Sequence, residues 1–335
     1  MITLGIETSC DETAAAVAED GRVLSSEVSS SVHLHSAYGG VIPEIASRYH
    51  VEYIYPVLRK ALSDAGKRIE DVGLIAVTKG PGLPGSLLVG MAFAKAISYA
   101  RSIPIIGVDH LKAHIVSCFI DDGVCRIEDK FPFIGMVISG GHTSIFLCRG
   151  IDDFEGIGRT RDDAVGEAFD KVAKVLELGY PGGPVVERRA ASFTGEGAID
   201  LPRALLADKE DLDFSFSGIK TAVLYRWRDA EKTELEKDRI CSSFQEAVVD
   251  VVSEKAGRAM EKTGIKKLAV GGGVINNDAF RKAFKGVCEG MGAELYLPEK
   301  ELCTDNAAMI AITGEKDFAL RGPSDLSLKA EPVSM

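Results

Sequence analysis

A strand running into a turn of small and hydroxyl residues occurs twice in this chain, and this repetition constrains the fold more than any other feature. The first copy is Leu4-Gly5-Ile6-Glu7-Thr8-Ser9-Cys10-Asp11-Glu12-Thr13, followed by the apolar run Ala14 to Ala18. The second is Ile134-Gly135-Met136-Val137-Ile138-Ser139-Gly140-Gly141-His142-Thr143, followed by Ser144-Ile145-Phe146-Leu147. A third strand pattern follows each, at 23–28 and at 154–159, and helical patterns come next. A three-strand lobe followed by helices, present twice, predicts an α/β chain of two duplicated lobes with mixed sheets. At 335 residues the chain exceeds the size at which one core stops growing, which independently favours two lobes.

Between the repeated units the pattern is regular. Pro43 opens a helix whose apolar positions run to Leu62, and Leu74 to Val77 reads as a buried strand. That strand enters the loop Lys79-Gly80-Pro81-Gly82-Leu83-Pro84-Gly85-Ser86, followed by a small-residue helix from Leu87 to Ala100. The strand Pro104 to Val108 then leads to Asp109 and His110-Leu111-Lys112-Ala113-His114. Such a β–loop–α–β crossover implies parallel strands. In the second lobe we expect a turn at 9–13 to be mirrored at 139–142, a helix over 163–176, loop-rich chain over 177–218 and a helix over 239–263 stopped by Gly264. The strand 267–270 enters Gly271-Gly272-Gly273, and 306–318 reads as a final helix. The resulting domain expectation is 1–128, 129–300 and a C-terminal segment 301–335 that packs back toward the first lobe.

Composition narrows the classes. No run approaches the ~20 apolar residues of a membrane span, and the start, Met1-Ile2-Thr3-Leu4, reads as a buried strand rather than a signal peptide. Seven scattered cysteines without Cys-x-x-Cys spacing point to a reducing, cytoplasmic setting. A net charge of −11 argues against nonspecific polyanion binding, though Arg159 with Arg161, Arg188 with Arg189, or Lys220 with Arg226 and Arg228 could form a local basic surface.

Strand-end turns of this kind expose backbone N–H groups able to cradle phosphate oxygens, with hydroxyls from Ser9 and Thr13 or Ser139 and Thr143 in support. Asp11 and Glu12 would repel phosphate, so the first turn needs a metal or a proton to move. His110 and His114 stand at i and i+4 on one helix face, a spacing that suits a single metal ion, and Asp305 is the best-placed further ligand. The bland alternatives are a capping and a buried histidine, and an ordinary helix N-cap at Asp305. A zinc-protease motif needs Glu after the first histidine, where this chain has Leu111. The triple glycine invites close approach of a planar group such as adenosine, with Asn276 and Asn277 as hydrogen-bonding candidates. Asp170 and Glu187, around Gly182-Gly183, are further candidates. Cys10, Cys118 and Cys303 lack an activating partner in sequence.

Taken in order, Glu7 to Thr13, Gly80 to Ser86, His110-x-x-x-His114, Ser139 to Thr143, Phe214-Ser215-Phe216-Ser217-Gly218-Ile219-Lys220-Thr221 and Asp305-Asn306-Ala307-Ala308-Met309 resemble the TsaD family. The segment Gly39 to Arg48 is similar to its bacterial branch. The resemblance implies the actin/Hsp70/sugar-kinase fold, with a nucleotide cleft between duplicated lobes. It implies transfer of a threonylcarbamoyl group from threonylcarbamoyl-AMP to N6 of adenosine 37 in tRNAs reading codons that begin with A. His110, His114 and Asp305 would then hold one divalent metal, iron first and zinc second. Val137, Ile138, Ser139, Gly140, Gly141, Asp170, Gly183, Glu187 and Asn277 would bind the adenylate, and ATP or ADP could occupy the same place. Glu187 stands where Asp is common in the family. Glu12 or Asp11 would serve as the base. The implied partners are tRNA, a TsaB paralogue and the ATPase TsaE, with no membrane. A small-molecule kinase or an ATP-dependent assembly protein of the same fold is the alternative.

Overall fold

The computed structural model describes residues 1–195 and 197–333. The chain divides into two units: Met1–Asp129 with the segment from Pro298 onward, and Lys130–Leu297.

In the first unit, β1 (Ile2–Glu7), β2 (Glu12–Glu19) and β3 (Arg22–Ser30) form an antiparallel meander. The chain continues through α1 (Val32–His35), α2 (Pro43–Asp64), β4 (Leu74–Gly80), α3 (Pro84–Arg101), β5 (Ile105–Asp109) and α4 (His110–Ser117). Two short strands, β6 (Ile120–Asp121) and β7 (Val124–Cys125), follow. The sheet runs β5-β4-β1-β2-β3-β7-β6, with β1, β4 and β5 parallel.

The second unit repeats this plan with β8 (Phe133–Ile138), β9 (Thr143–Gly150) and β10 (Asp153–Arg159). Its helices α5 (Val165–Val175), α6 (Gly182–Ser192), α7 (Ser217–Asp229) and α8 (Glu234–Thr263) precede β11 (Lys267–Gly271), α9 (Asp278–Met291) and β12 (Glu294–Tyr296). The order β10-β9-β8-β11-β12 reproduces β3-β2-β1-β4-β5 strand for strand. The turns after β1 and β8 therefore hang from equivalent strands.

Strands β1, β2, β4 and β5 are buried on both faces, which is why they read as nearly continuous apolar runs. Leu4, Ile6, Ala15 and Val17 pack on Ile54, Val57 and Leu58 of α2 and on Met91 and Ala94 of α3. The opposite face carries Leu74, Ala76, Ile106 and Val108 against Met309 and Ile310 of the last helix, α10 (Ala307–Arg321). Close approach is built in: a Cβ at Gly5 would strike the Ala307 carbonyl oxygen, and one at Gly314 would strike Ala76. This packing holds the C-terminal segment against the first unit.

Four local expectations need correction. Glu12 and Thr13 belong to β2, because β3 pairs with them at Ser30 and Ser29 and so extends the strand beyond the β1 ladder. The stretch 177–218 contains the helix α6, whose Gly-Gly-Pro start masks its pattern; Gly182 is needed there because a Cβ would lie 2.6 Å from the Phe169 carbonyl oxygen. Helix α8 starts before Arg239, at Glu234, where Thr233 caps it by accepting the Glu236 N–H. Helix α5 starts at Val165 rather than Asp163, with Ala164 at its N-cap.

Candidate functional site

The first constellation grows from the end of β5. Asp109 leaves the strand extended and its carboxylate accepts the Lys112 N–H at 2.9 Å, which starts α4 at His110. His110 and His114 then lie one turn apart, both buried, with ring centroids 4.6 Å apart and nearly perpendicular planes. Asp305 reaches them from the turn before α10: its Oδ1 lies 3.1 Å from His114 Nε2 and 3.6 Å from His110 Nε2. One ligand atom from each of the three falls within 4.8 Å of the others.

Asp305 is positioned this way because it is not the helix cap. Asn306 takes that role, accepting the Met309 N–H at 2.9 Å while its amide donates to Leu302 and Thr304 carbonyls. The capping alternative for His110 fails for the same kind of reason, since Asp109 caps α4. The two rings are oriented differently. His110 Nδ1 faces Glu7 Oε2 at 3.0 Å, whereas His114 Nδ1 is buried without a hydrogen-bond partner.

Electrostatics separates the two histidines. Burial opposes the charge on His110, yet Asp305, Glu7 and Asp109 outweigh it and raise its pKa to about 9. Burial and the neighbouring His110 hold His114 below its ordinary value. Nearby, burial first, then Asp11 and Asp305, push the Glu12 carboxyl well above the usual carboxylate range. Burial and the same acids raise the Cys10 thiol, which argues against thiolate chemistry there.

The acidic turn is fastened on several sides. Leu83 N–H donates to the Ser9 carbonyl at 2.7 Å, and a Cβ at Gly82 would come within 2.5 Å of that oxygen. This accounts for the glycine and proline density of the 79–86 loop: it must lie on the turn. Thr8 Oγ1 donates to the Ser86 carbonyl at 2.9 Å.

The second constellation is the β8–β9 turn. Val137 and Ile138 are fully buried side chains, so only their backbone can meet a ligand. The turn closes through Ser139 N–H to the His142 carbonyl at 2.8 Å and His142 N–H to Ser139 Oγ at 3.1 Å. Helix α5 begins on it, with Gly166 N–H donating to the Ser139 carbonyl at 3.1 Å and Val165 N–H to Thr143 Oγ1 at 3.0 Å. Gly166 must be glycine, since a Cβ would sit 2.7 Å from Gly140 Cα. By contrast, a Cβ on Gly140, Gly141 or Gly183 would meet nothing within 4 Å.

Asp170, Glu187 and Asn277 lie in this unit and each secures a helix start. Asp170 accepts the Gly182 N–H at 2.7 Å, Glu187 the Asp278 N–H at 2.9 Å, and Asn277 the Ala279 N–H at 2.9 Å. Asn277 also donates to Gln245 Oε1 at 2.7 Å, while Asn276 Oδ1 is buried and unpartnered. Within the triple glycine, Gly272 has φ +101° and backs onto the Ile138 carbonyl, so packing requires glycine at that position. The proposed basic clusters are largely neutralised by acids: Arg161 pairs with Asp211 and Asp213, Arg189 with Glu234 and Asp238, and Arg226 with Glu236.

Glu7, which faces His110 Nδ1, and Thr78, whose Oγ1 donates to Glu7 Oε2 at 2.7 Å, lie outside the candidates the sequence offers. Glu7 lies inside a quoted motif, and a carboxylate at the end of a fully buried strand was the available signal. No helix among the described residues is long and apolar enough to cross a membrane.

The family model for TsaD, tRNA N6-adenosine threonylcarbamoyltransferase, matches residues 22–312. A protein of that description from Desulfotalea psychrophila is 49% identical over 333 residues, covering 98% of this chain and 95% of its own. Another from Syntrophus aciditrophicus is 47% identical, with 98% and 96% covered. Among solved structures, HypF of T. kodakarensis aligns with a TM-score of 0.61 at 15% identity, over 95% of this chain and 47% of HypF. The (R)-2-hydroxyglutaryl-CoA dehydratase component A of Acidaminococcus fermentans aligns at 0.54 and 15% identity, over 95% and 99%. These structures share the fold, the duplicated α/β architecture of the actin/Hsp70/sugar-kinase group.

Proposed function

The chain belongs to the tRNA N6-adenosine threonylcarbamoyltransferase family, and on that premise we propose how its residues divide the work of the transfer. The enzyme modifies tRNA by placing a threonylcarbamoyl group on N6 of an adenosine. This sets aside the kinase and assembly alternatives.

We take threonylcarbamoyl-AMP as the donor and adenosine 37 of tRNAs reading codons that begin with A as the acceptor. N6 attacks the carbamoyl carbon, the bond from that carbon to the phosphate oxygen breaks, and AMP leaves with the electron pair. A mixed anhydride is already activated, so holding donor and acceptor in line supplies much of the rate. The remaining task is to accept the N6 proton. Glu12 takes it in this reading, because its surroundings bring its carboxyl toward the basicity such a step needs; Asp11 is the adjacent acid that sustains this.

His110, His114 and Asp305 would hold the divalent metal, iron before zinc. Two imidazole nitrogens and one carboxylate oxygen, with Glu7 behind His110, suit such an ion and leave coordination positions for substrate. When bound, the ion supplies Lewis-acid polarisation of a donor oxygen. The adenylate belongs to the second unit, on the backbone of Val137 to Gly141 and beside Asp170, Gly183, Glu187 and Asn277. The open space over Gly140, Gly141 and Gly183 and the unpartnered Asn276 Oδ1 support this. ATP or ADP fits the same chemistry.

A TsaB paralogue and TsaE complete the proposed assembly. Exposed Val51 and Tyr55 on α2 and Leu88 and Tyr99 on α3 support an apolar docking partner. Seven free cysteines support a reducing, cytoplasmic setting. The observation that carries the site assignment is the convergence of His110, His114 and Asp305 beside Glu12. Its test is a reaction of the metal-loaded protein and partners with threonylcarbamoyl-AMP and unmodified tRNA, followed by mass spectrometry of nucleosides. Threonylcarbamoyladenosine should form with the native chain and be lost with His110→Ala; formation at the native rate by that variant would reject the metal assignment.

A further inference from the structure

Two buried histidines outside the metal cluster hold the carbonyls of the acidic turn. His50, on α2, is fully buried. Its Nε2 lies 3.0 Å from the Cys10 carbonyl oxygen and its Nδ1 2.8 Å from Thr13 Oγ1. A carbonyl can only accept, so Nε2 carries the hydrogen. Burial keeps the ring neutral, which leaves Nδ1 to accept from the Thr13 hydroxyl. One imidazole thus clamps the residues on either side of Asp11 and Glu12.

His35, also fully buried, repeats the logic one step removed. Ile42 N–H donates to its Nδ1 at 3.2 Å, so its Nε2 donates to Ser31 Oγ at 3.0 Å. Ser31 Oγ in turn donates to the Asp11 carbonyl at 2.9 Å, where the Ser31 N–H adds a second bond at 3.0 Å. Ser86 Oγ gives the Cys10 carbonyl its own second donor at 3.1 Å.

Asp11, Glu12 and Asp305 crowd like charges into one place. Repulsion alone would drive such a turn open, since like charges in a desolvated setting cost free energy. Hydrogen bonds from neutral groups to the backbone hold the geometry against that repulsion.

We propose that His50 is a positioning residue for threonylcarbamoyl transfer, a neutral bridge from the Cys10 carbonyl to the Thr13 hydroxyl that fixes where Glu12 meets the acceptor amine. This rests on the reading of Glu12 as the base. Its signature is a loss in turnover rather than in binding, because displacing a reacting group by about 1 Å costs up to ~100-fold.

The test compares native protein, His50→Ala, His50→Gln, Glu12→Gln and the double variant His50→Ala/Glu12→Gln, each with partners, metal, donor and tRNA. His50→Ala should lower kcat roughly 10- to 100-fold while KM for tRNA and metal content stay near native. His50→Gln, whose amide can both donate and accept, should restore most of the rate. The double variant should be about as slow as Glu12→Gln alone, because residues acting through one another are not additive. Native kcat in His50→Ala, no rescue by Gln, or losses that multiply in the double variant would each overturn the proposal. Full activity of Glu12→Gln would reject the base reading instead, and His50 is then judged on kcat and on rescue by Gln. If His50→Ala does not fold, Thr13→Val removes the same bridge from its other end and must show the same kcat loss with unchanged KM; native kcat there would overturn the proposal.

Discussion

Glu7 Oε2 lies 3.0 Å from His110 Nδ1, and this contact, spanning 103 residues of sequence, determines which ring nitrogen of His110 faces Asp305. Thr78 Oγ1 donates to the same Glu7 oxygen at 2.7 Å, and the Ser9 backbone N–H donates to the other. Glu7 is fully buried, so its orientation has no solvent alternative. Glu7→Gln should keep the fold but weaken metal binding by roughly 10- to 100-fold. Competition against a chelator of known affinity measures this, and native affinity in the variant would contradict it.

Asp305 and Asn306 are neighbours with separate tasks. Asp305→Asn should lose metal while thermal unfolding of the metal-free protein changes little. Asn306→Ala removes the α10 cap and should cost about 1 kcal/mol of stability. Urea unfolding with parallel metal analysis distinguishes them; equal destabilisation by both would show that Asp305 also anchors the helix.

Glycines of the second turn should respond in opposite ways. Gly166→Ala forces a Cβ toward Gly140 Cα and the Ser139 carbonyl oxygen, at 2.7 and 2.8 Å, and should destabilise the unit by roughly 1–3 kcal/mol. Gly140→Ala meets no protein atom within 4 Å and should fold normally, yet bind adenylate more weakly. Calorimetry of unfolding and of AMP binding separates the two effects. Native AMP affinity in Gly140→Ala would place the adenylate elsewhere.

A pH dependence follows from Asp162, which accepts from the Ser215 and Ser217 hydroxyls and from the Phe216 and Ser217 N–H groups at the start of α7. Burial works against its charge, but these four donors outweigh it and hold the carboxyl below the usual carboxylate range. A lowered folded-state pKa stabilises above the unfolded value, and the contribution is lost as pH falls through the folded one. Because the group is exposed, Asp162→Asn should cost only about 1 kcal/mol near neutral pH. The gap between native and variant unfolding midpoints should shrink on moving from ~pH 7 to ~pH 3; a constant gap would mean the charge is not what caps the helix.

Much of the architecture was legible because it is periodic. The strand–turn repeats, the β–loop–α–β crossover and the i, i+4 histidines each depend on spacing within a short window, and spacing sets which face a side chain occupies. Boundaries failed where the cause lay outside the window: Glu12 is a strand residue only because β3 extends to pair with it, and α6 is hidden behind a glycine start that packing on α5 requires.

The residue pattern by itself determined the duplicated α/β plan and marked His110, His114, Asp305 and the two turns as chemically distinctive. Tertiary structure decided the rest. It brought Asp305 to the histidines across 191 residues, gave the helix cap to Asn306, placed Glu7 behind His110 and closed His50 over the acidic turn. Which polar group meets which depends on strand order and helix docking. Those are set by burial summed over the whole core, and no local stretch of sequence carries that sum.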